Sequence, residues 1–236
     1  MLQGIQVTLY DVFGYLLPGF VFLAAIAILF WAVCFPTAPL PWPLEIQANW
    51  WVVAAVAYVA GHMAQALANR FDKAVRPRGS EDLRLAGPGL AKLPDDLVRC
   101  AKRKASRIAG VGADKMDDLL LYRLCDEAVA QGDASRADRD MYIYREGFYR
   151  GLGFSLLALV LALLARAWIP GAAFAPWETP QPIPTMAFWL LGVLCAAAAL
   201  LSYERAARFE GYKLRQAVLG FLVLQAKAAE GKEKAK

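Results

Sequence analysis

The chain has 236 residues, of which 58% are hydrophobic and 20% charged, with a formal net charge of +5. A mean hydropathy of +0.37 is too high for an ordinary soluble domain, and the charges are gathered into blocks instead of being spread along the chain. The four cysteines show no CxxC or Cys/His spacing, which argues against a zinc centre or a disulfide framework. The expected class is therefore an all-α polytopic membrane protein, with free thiols packed as small hydrophobes and with no metal or cofactor.

The first apolar run opens with YDVFGYLLPGF, Tyr10 to Phe20. No Lys or Arg precedes it, and it is longer than the core of a signal peptide, so Leu16 to Phe35 reads as a permanent span. Proline lacks an N–H that the first helical turn does not need. Pro18 is thus expected to open the crossing helix, leaving Leu2 to Tyr15 as an interfacial segment. Asp11 then stays at the polar boundary, either as a local cap or at the rim of a pore.

The second span, Trp50 to Asn69, carries Ala54, Ala57, Gly61, Ala64 and Ala68, small residues that let helices approach closely in lipid. The only histidine, His62, lies beside Gly61 with Gln65 close behind on the same face. Polar groups at membrane depth normally face a bundle interior or a water-filled path, which makes both candidates for a pore or gate. The plainer reading is an interhelical hydrogen bond that fixes packing.

From Arg70 to Arg150 the apolar residues are too few for a very stable independent core. RPRGSEDLRLAGPGLAKLP reads as a loop. PDDLVRCAKRKASRIAG reads as a helix begun by Pro94 and Asp95 and stopped by Gly110. The helix after it has Met116, Leu119, Leu120, Leu124 and Val129 on its apolar face and ends at Gly132. The paired acids Asp95/Asp96 and Asp117/Asp118 sit at helix starts, where carboxylates complement the helix dipole, and read as caps and not as metal ligands.

Ser135 with Asp138 resembles a capping signature ahead of a proline-free stretch that reaches Trp168, so one helix is expected to begin in the cytoplasm and become the third span, Gly151 to Ile169. The fourth span, Thr185 to Tyr203, likewise continues without proline, and the charged end KEKAK is expected to be disordered. The two loops expected outside, PTAPLPWPLEIQAN and PGAAFAPWETPQPIP, read as short rigid connections.

Of the 26 Lys and Arg residues, 25 lie in Arg70–Arg150 or Arg205–Lys236, the exception being Arg166. Basic flanks are retained on the cytoplasmic side, which predicts cytoplasmic termini in a bacterial inner membrane. The expected organisation is an interfacial segment and first hairpin (1–69), a basic helical cytoplasmic region (70–150), a second hairpin (151–203), and a cytoplasmic helix with a charged tail (204–236).

Three- and four-residue spacing puts Arg99, Lys102, Arg103 and Arg107 on one helical face, which Lys104 widens. That face suits the phosphates of a nucleotide, an oligonucleotide or anionic lipid, or it is a solvated surface paired with nearby Asp residues. AVLGFLVLQ, Ala217 to Gln225, reads as a packed core helix or as a hydrophobic constriction. Catalysis has little support: the single His cannot form a Ser-His-Asp arrangement with the cytoplasmic acids, and no glycine-rich phosphate loop precedes a helix.

In overall plan the chain resembles small membrane effectors of bacterial anti-phage defence. It looks most like the Hailong-type transmembrane effector, with the Kiwa membrane subunit a looser comparison. The resemblance lies in YDVFGYLLPGF, four short-looped spans, RCAKRKASR and AVLGFLVLQ. It implies a homo-oligomeric ion channel or membrane-perturbing effector controlled by a negatively charged nucleotide or oligonucleotide. Leu219, Phe221, Leu222 and Leu224 would form the restriction, and Arg99, Lys102, Arg103 and Arg107 the ligand site. The competing expectations are a non-conducting scaffold that recruits a soluble partner encoded nearby, and an accessory subunit of a transporter.

Overall fold

A computed structural model describes residues 2–35, 40–42, 49–75, 93–112, 115–131, 133–168, 174–176 and 185–234. Among these, six helices account for nearly all the regular structure: α1 (Leu2–Cys34), α2 (Trp50–Val75), α3 (Asp95–Ala109), α4 (Asp118–Ala130), α5 (Asp133–Ala167) and α6 (Thr185–Lys234). The fold is all-α, and α1, α2, α5 and α6 are each long and apolar enough to cross a membrane. One small departure is a parallel pair of three-residue strands, β1 (Leu40–Trp42) and β2 (Phe174–Pro176), in register Leu40 to Phe174. The prolines in both loops mask that pairing in the sequence, because proline cannot donate to a ladder.

The residues divide into two compact units, 1–73 with 147–206 and 74–146 with 207–236. In the first, α1 and α2 meet backbone to backbone. A Cβ added at Gly19 would collide with the Ala57 carbonyl, and one at Gly61 with the Tyr15 carbonyl. Ala57, Ala60, Gly61, Ala64 and Ala68 are the buried residues of α2, so the small face read from the sequence is the packed one. Val160, Leu163, Phe188 and Cys195 form a further buried cluster of α5 and α6, with Ile28 of α1 against it.

α1 does not begin at Pro18. It runs from Leu2 to Cys34 with Pro18 inside it, so the expected interfacial segment is part of the same helix. The interior proline deprives the Gly14 carbonyl of its usual donor, a loss that membrane helices tolerate when packing compensates. Here Pro18 is fully buried, with its ring beside the position a Gly151 side chain would take.

In the second unit, α3 has the expected bounds, but Pro94 stands at its N-cap position and neither Asp95 nor Asp96 caps it with a side-chain hydrogen bond. Asp95 and Asp96 lie in its first turn, and Gly110 caps it at φ 66°, the left-handed conformation that glycine adopts without strain. Asp117 caps α4 by accepting a hydrogen bond from the Leu120 N–H at 2.6 Å. The buried residues of α4 are Leu121, Cys125 and Val129, a face rotated from the expected one and sharing only Val129 with it. Met116 is buried, but it precedes the helix.

α5 is continuous, as the absence of proline predicts, but it starts at Asp133, which places Ser135 inside the helix and not at its cap. α6 continues to Lys234, into the end expected to be disordered; Ala, Glu and Lys are good helix formers, and no breaker intervenes. Of the expected loop, 76–94, residues 76–92 lie outside the described residues.

Gly61→Ala is expected to cost the first hairpin about 1–3 kcal/mol, because the clash is with backbone that cannot turn aside. Gly14→Ala, whose added Cβ would meet nothing, is expected to leave the detergent melting midpoint unchanged or slightly raised. Equal midpoints for the two variants would contradict the close approach.

Candidate functional site

α3 has two opposed faces. Ala101, Ala105 and Ser106 are buried, and Arg99, Arg103 and Arg107 project on the other side at four-residue intervals. The Ser106 hydroxyl donates to the Arg103 carbonyl at 3.0 Å, so it is satisfied within the helix and places no demand on the basic face.

The five candidate basic residues are not equivalent. Arg99 pairs with Asp96 at 2.8 Å across an exposed i, i+3 contact, which contributes little in water. Lys102 bonds Asp118 at 2.6 Å and ties α3 to α4. Lys104 is half-buried, and Arg103 and Arg107 are exposed. Among the described residues, Lys104, Arg103 and Arg107 have no ion-pair partner. Other ion pairs hold the rest of the unit: Arg139 holds both oxygens of Asp126, at 2.6 and 2.8 Å, and also bonds Asp140, while Lys213 bonds the buried Glu146 at 2.7 Å. Sequence reasoning missed these three pairings because their partners are 13 and 67 residues apart or part of a mixed-charge run.

The apolar segment of α6 lies directly within the core of this unit. Ala217, Val218 and Phe221 belong to the same buried cluster as Ala101 and Ala105 of α3 and Leu121, Cys125 and Val129 of α4; Leu219, Leu222 and Leu224 pack partly buried against it. The segment's apolarity signals this burial, but not which of its faces turns inward. Tyr122 and Cys125 are desolvated by the same packing, which pushes the Tyr122 hydroxyl above its ordinary range and the Cys125 thiol up to about 12, with the Asp126 charge adding to both.

In the first unit, His62 stacks on the Tyr15 ring at 3.7 Å between centroids and meets Tyr58 edge-on at 4.7 Å. Gln65 lies against α5, where the space left by Gly147 accommodates its amide. Asp11 is in α1 just before the candidate span that starts at Val12, and its side chain lies outside the described set. The three sequence candidates His62, Gln65 and the α3 basic face thus belong to two separate settings. Among the described residues, no three of His, Cys, Asp and Glu converge as metal ligands would. No known family, curated protein or solved structure matches the chain.

A thiol-specific reagent at mildly alkaline pH is expected to modify the exposed Cys34 and the half-buried Cys100, and to reach Cys125 only on unfolding. The folded state favours the neutral Cys125 thiol. Its contribution to stability is therefore complete below the ordinary value of 9.0 and falls as pH rises from there towards about 12. Cys125→Ala should flatten that alkaline decline in a denaturation series; an unchanged slope would show that the thiol has no part in it.

Proposed function

We propose that the chain is a subunit of a homo-oligomeric effector of the bacterial cytoplasmic membrane, with both termini cytoplasmic, that responds to an anionic nucleotide or oligonucleotide at α3 by altering ion flow across the bilayer. The observation that carries this reading is the two-faced α3: Arg103 and Arg107 project outward without ion-pair partners among the described residues, and Ala101 and Ala105 on the opposite side join the cluster that holds the apolar segment of α6. Guanidinium groups suit phosphate oxygens in a bidentate fork, and a shared core gives a bound phosphate a mechanical route to α6. The resemblance to anti-phage membrane effectors supplies a setting in which such a response would be used.

A second reading has its own support. Leu219, Phe221, Leu222 and Leu224 line a core within one chain, which favours a non-conducting scaffold or transporter accessory subunit over a gate built from them. The gate reading requires these side chains to leave that core or to be shared between copies.

The two readings separate on flux and on salt dependence. Purified protein in liposomes is expected to carry ion flux that a short single-stranded oligonucleotide changes. Flux equal to that of empty liposomes, with or without it, supports the scaffold. In solution, reversing both charges in Arg103→Glu/Arg107→Glu should weaken oligonucleotide binding by about tenfold or more. It should also lower the log–log salt slope by roughly 1.4, at about 0.7 for each phosphate no longer neutralised. Unchanged affinity would remove α3 from the ligand site.

A further inference from the structure

The α2 helix carries a polar seam that its composition conceals. Tyr58, His62, Gln65, Asn69 and Asp72 follow one another at intervals of four, three, four and three residues, which places all five along one side of the helix. Neither the packed face nor the apolar face includes them. Ala57, Gly61, Ala64 and Ala68 are buried on one side, and Val52, Val56, Val59 and Met63 are exposed on another.

Every member of the seam has polar or aromatic company within the same unit. His62 is held between Tyr15 and Tyr58. Gln65 sits over Gly147 and Gly151 of α5. Asn69 accepts a hydrogen bond from the Arg150 guanidinium at 3.0 Å. Asp72 and Arg150 both lie within electrostatic range of Tyr203. The Tyr203 Oη is buried and, among the described residues, has no hydrogen-bond partner, a position that a water molecule would satisfy.

Depth makes this seam informative. At about 1.5 Å per residue, His62 is about 18 Å along the helix from Trp50 and about 15 Å from Asp72, close to the middle of a span about 30 Å thick. An imidazole there is too short to reach either headgroup region, yet His62 is exposed on this chain. Leaving it against lipid is costly, and ionisable groups at such depth face water-filled cavities or proton paths.

We propose that the seam is a water-filled path, open at the Asp72 and Arg150 end and closed at His62, through which the imidazole exchanges protons with the Lys/Arg-rich side of the membrane. The imidazole takes a proton from hydronium, leaving water, and returns it to water along the same route, so no other reactant is required. Among the described residues, the titratable groups packed on the ring are Tyr15 of α1 and Tyr58 of α2. This inference rests on the membrane placement of the spans and not on anion sensing, since its test needs neither ligand nor flux.

Cysteines placed one at a time at Asn69, Gln65 and His62, in a chain with Cys34 and Cys100 replaced by serine and the buried Cys125 and Cys195 kept, are to be labelled in nanodiscs with a charged, lipid-impermeant methanethiosulfonate, with the unsubstituted background as the blank. Labelling at Gln65→Cys and His62→Cys is expected to be at least about tenfold faster than at Val59→Cys or Met63→Cys, because a thiol in hydrocarbon meets neither water nor reagent as thiolate. In parallel, the 15N spectrum of the unmodified protein reports His62 without assignment, since the chain has one histidine, and it is expected to titrate with bulk pH. Labelling no faster than at the lipid-facing controls would overturn the water path. An imidazole unchanged between about pH 5 and 8 would overturn the proton exchange even if the seam is wet. Disulfide cross-linking of His62→Cys between copies would instead show that a second chain covers the seam, and would overturn the proposal.

Discussion

The backbone contact of α1 with α2 fixes most of what the first unit presents. In lipid, no hydrophobic drive brings helices together, so association relies on close packing between small residues. Gly19 against Ala57 and Gly61 against Tyr15 supply that closeness, and because both contacts are with backbone they set the rotation of α2 as well as its distance. Once that rotation is fixed, the valine and methionine face turns outward and the polar seam falls between the two. Roughly a third or less of each candidate span is buried within the chain, which leaves wide apolar surfaces for lipid or for other copies.

A comparable constraint operates in the second unit, but it is carried by side chains. Ala101 and Ala105 lie against a core built from α3, α4 and α6, and their burial leaves the arginines of α3 no orientation but outward. Ion pairs then fasten the helices: Lys102 with Asp118, Arg139 with Asp126, and Lys213 with Glu146. The last two are largely removed from solvent, where loss of one partner strands a charge and costs more than the pair itself contributes. Of the α3 cations, Lys102 is the one tied into this framework, through Asp118, while Arg103 and Arg107 stay exposed.

The sequence is most legible where a local signal decides structure. Pro94, the acids after it and Gly110 bound α3 because helix ends depend on a few neighbouring residues: the acids lie in the first turn without a side-chain cap hydrogen bond, and Gly110 closes the C-terminus. Continuity of α5 and α6 follows from the absence of proline. Pro18 misleads because its effect depends on context: the same missing N–H that suits a helix start is tolerated inside a membrane helix when the ring is buried. The inward face of α4 is illegible for a related reason. Leu119, Leu120, Leu121 and Leu124 offer several apolar stripes, and only the neighbouring α3 and α6 select the one through Leu121 and Cys125. The ion pairs and the seam need either distant partners or a period of seven among residues of mixed polarity, which a search for apolar periodicity passes over.

Core membership also limits how α6 could act. Fully burying a side chain such as Phe221 is worth about 1.5–3 kcal/mol, so moving that residue and its leucine neighbours into a constriction would forfeit several kcal/mol unless new contacts replaced the old ones. A ligand can drive such a change only through its differential affinity for the two arrangements, however tightly it binds. A single phosphate on two arginines supplies little of that difference, whereas an oligomeric anion spanning several copies of α3 multiplies it by the number of subunits engaged. If α6 does rearrange, the chemistry therefore favours a polyvalent ligand over a mononucleotide, and it favours an assembly in which the cost per subunit is met by contacts that one chain alone does not make.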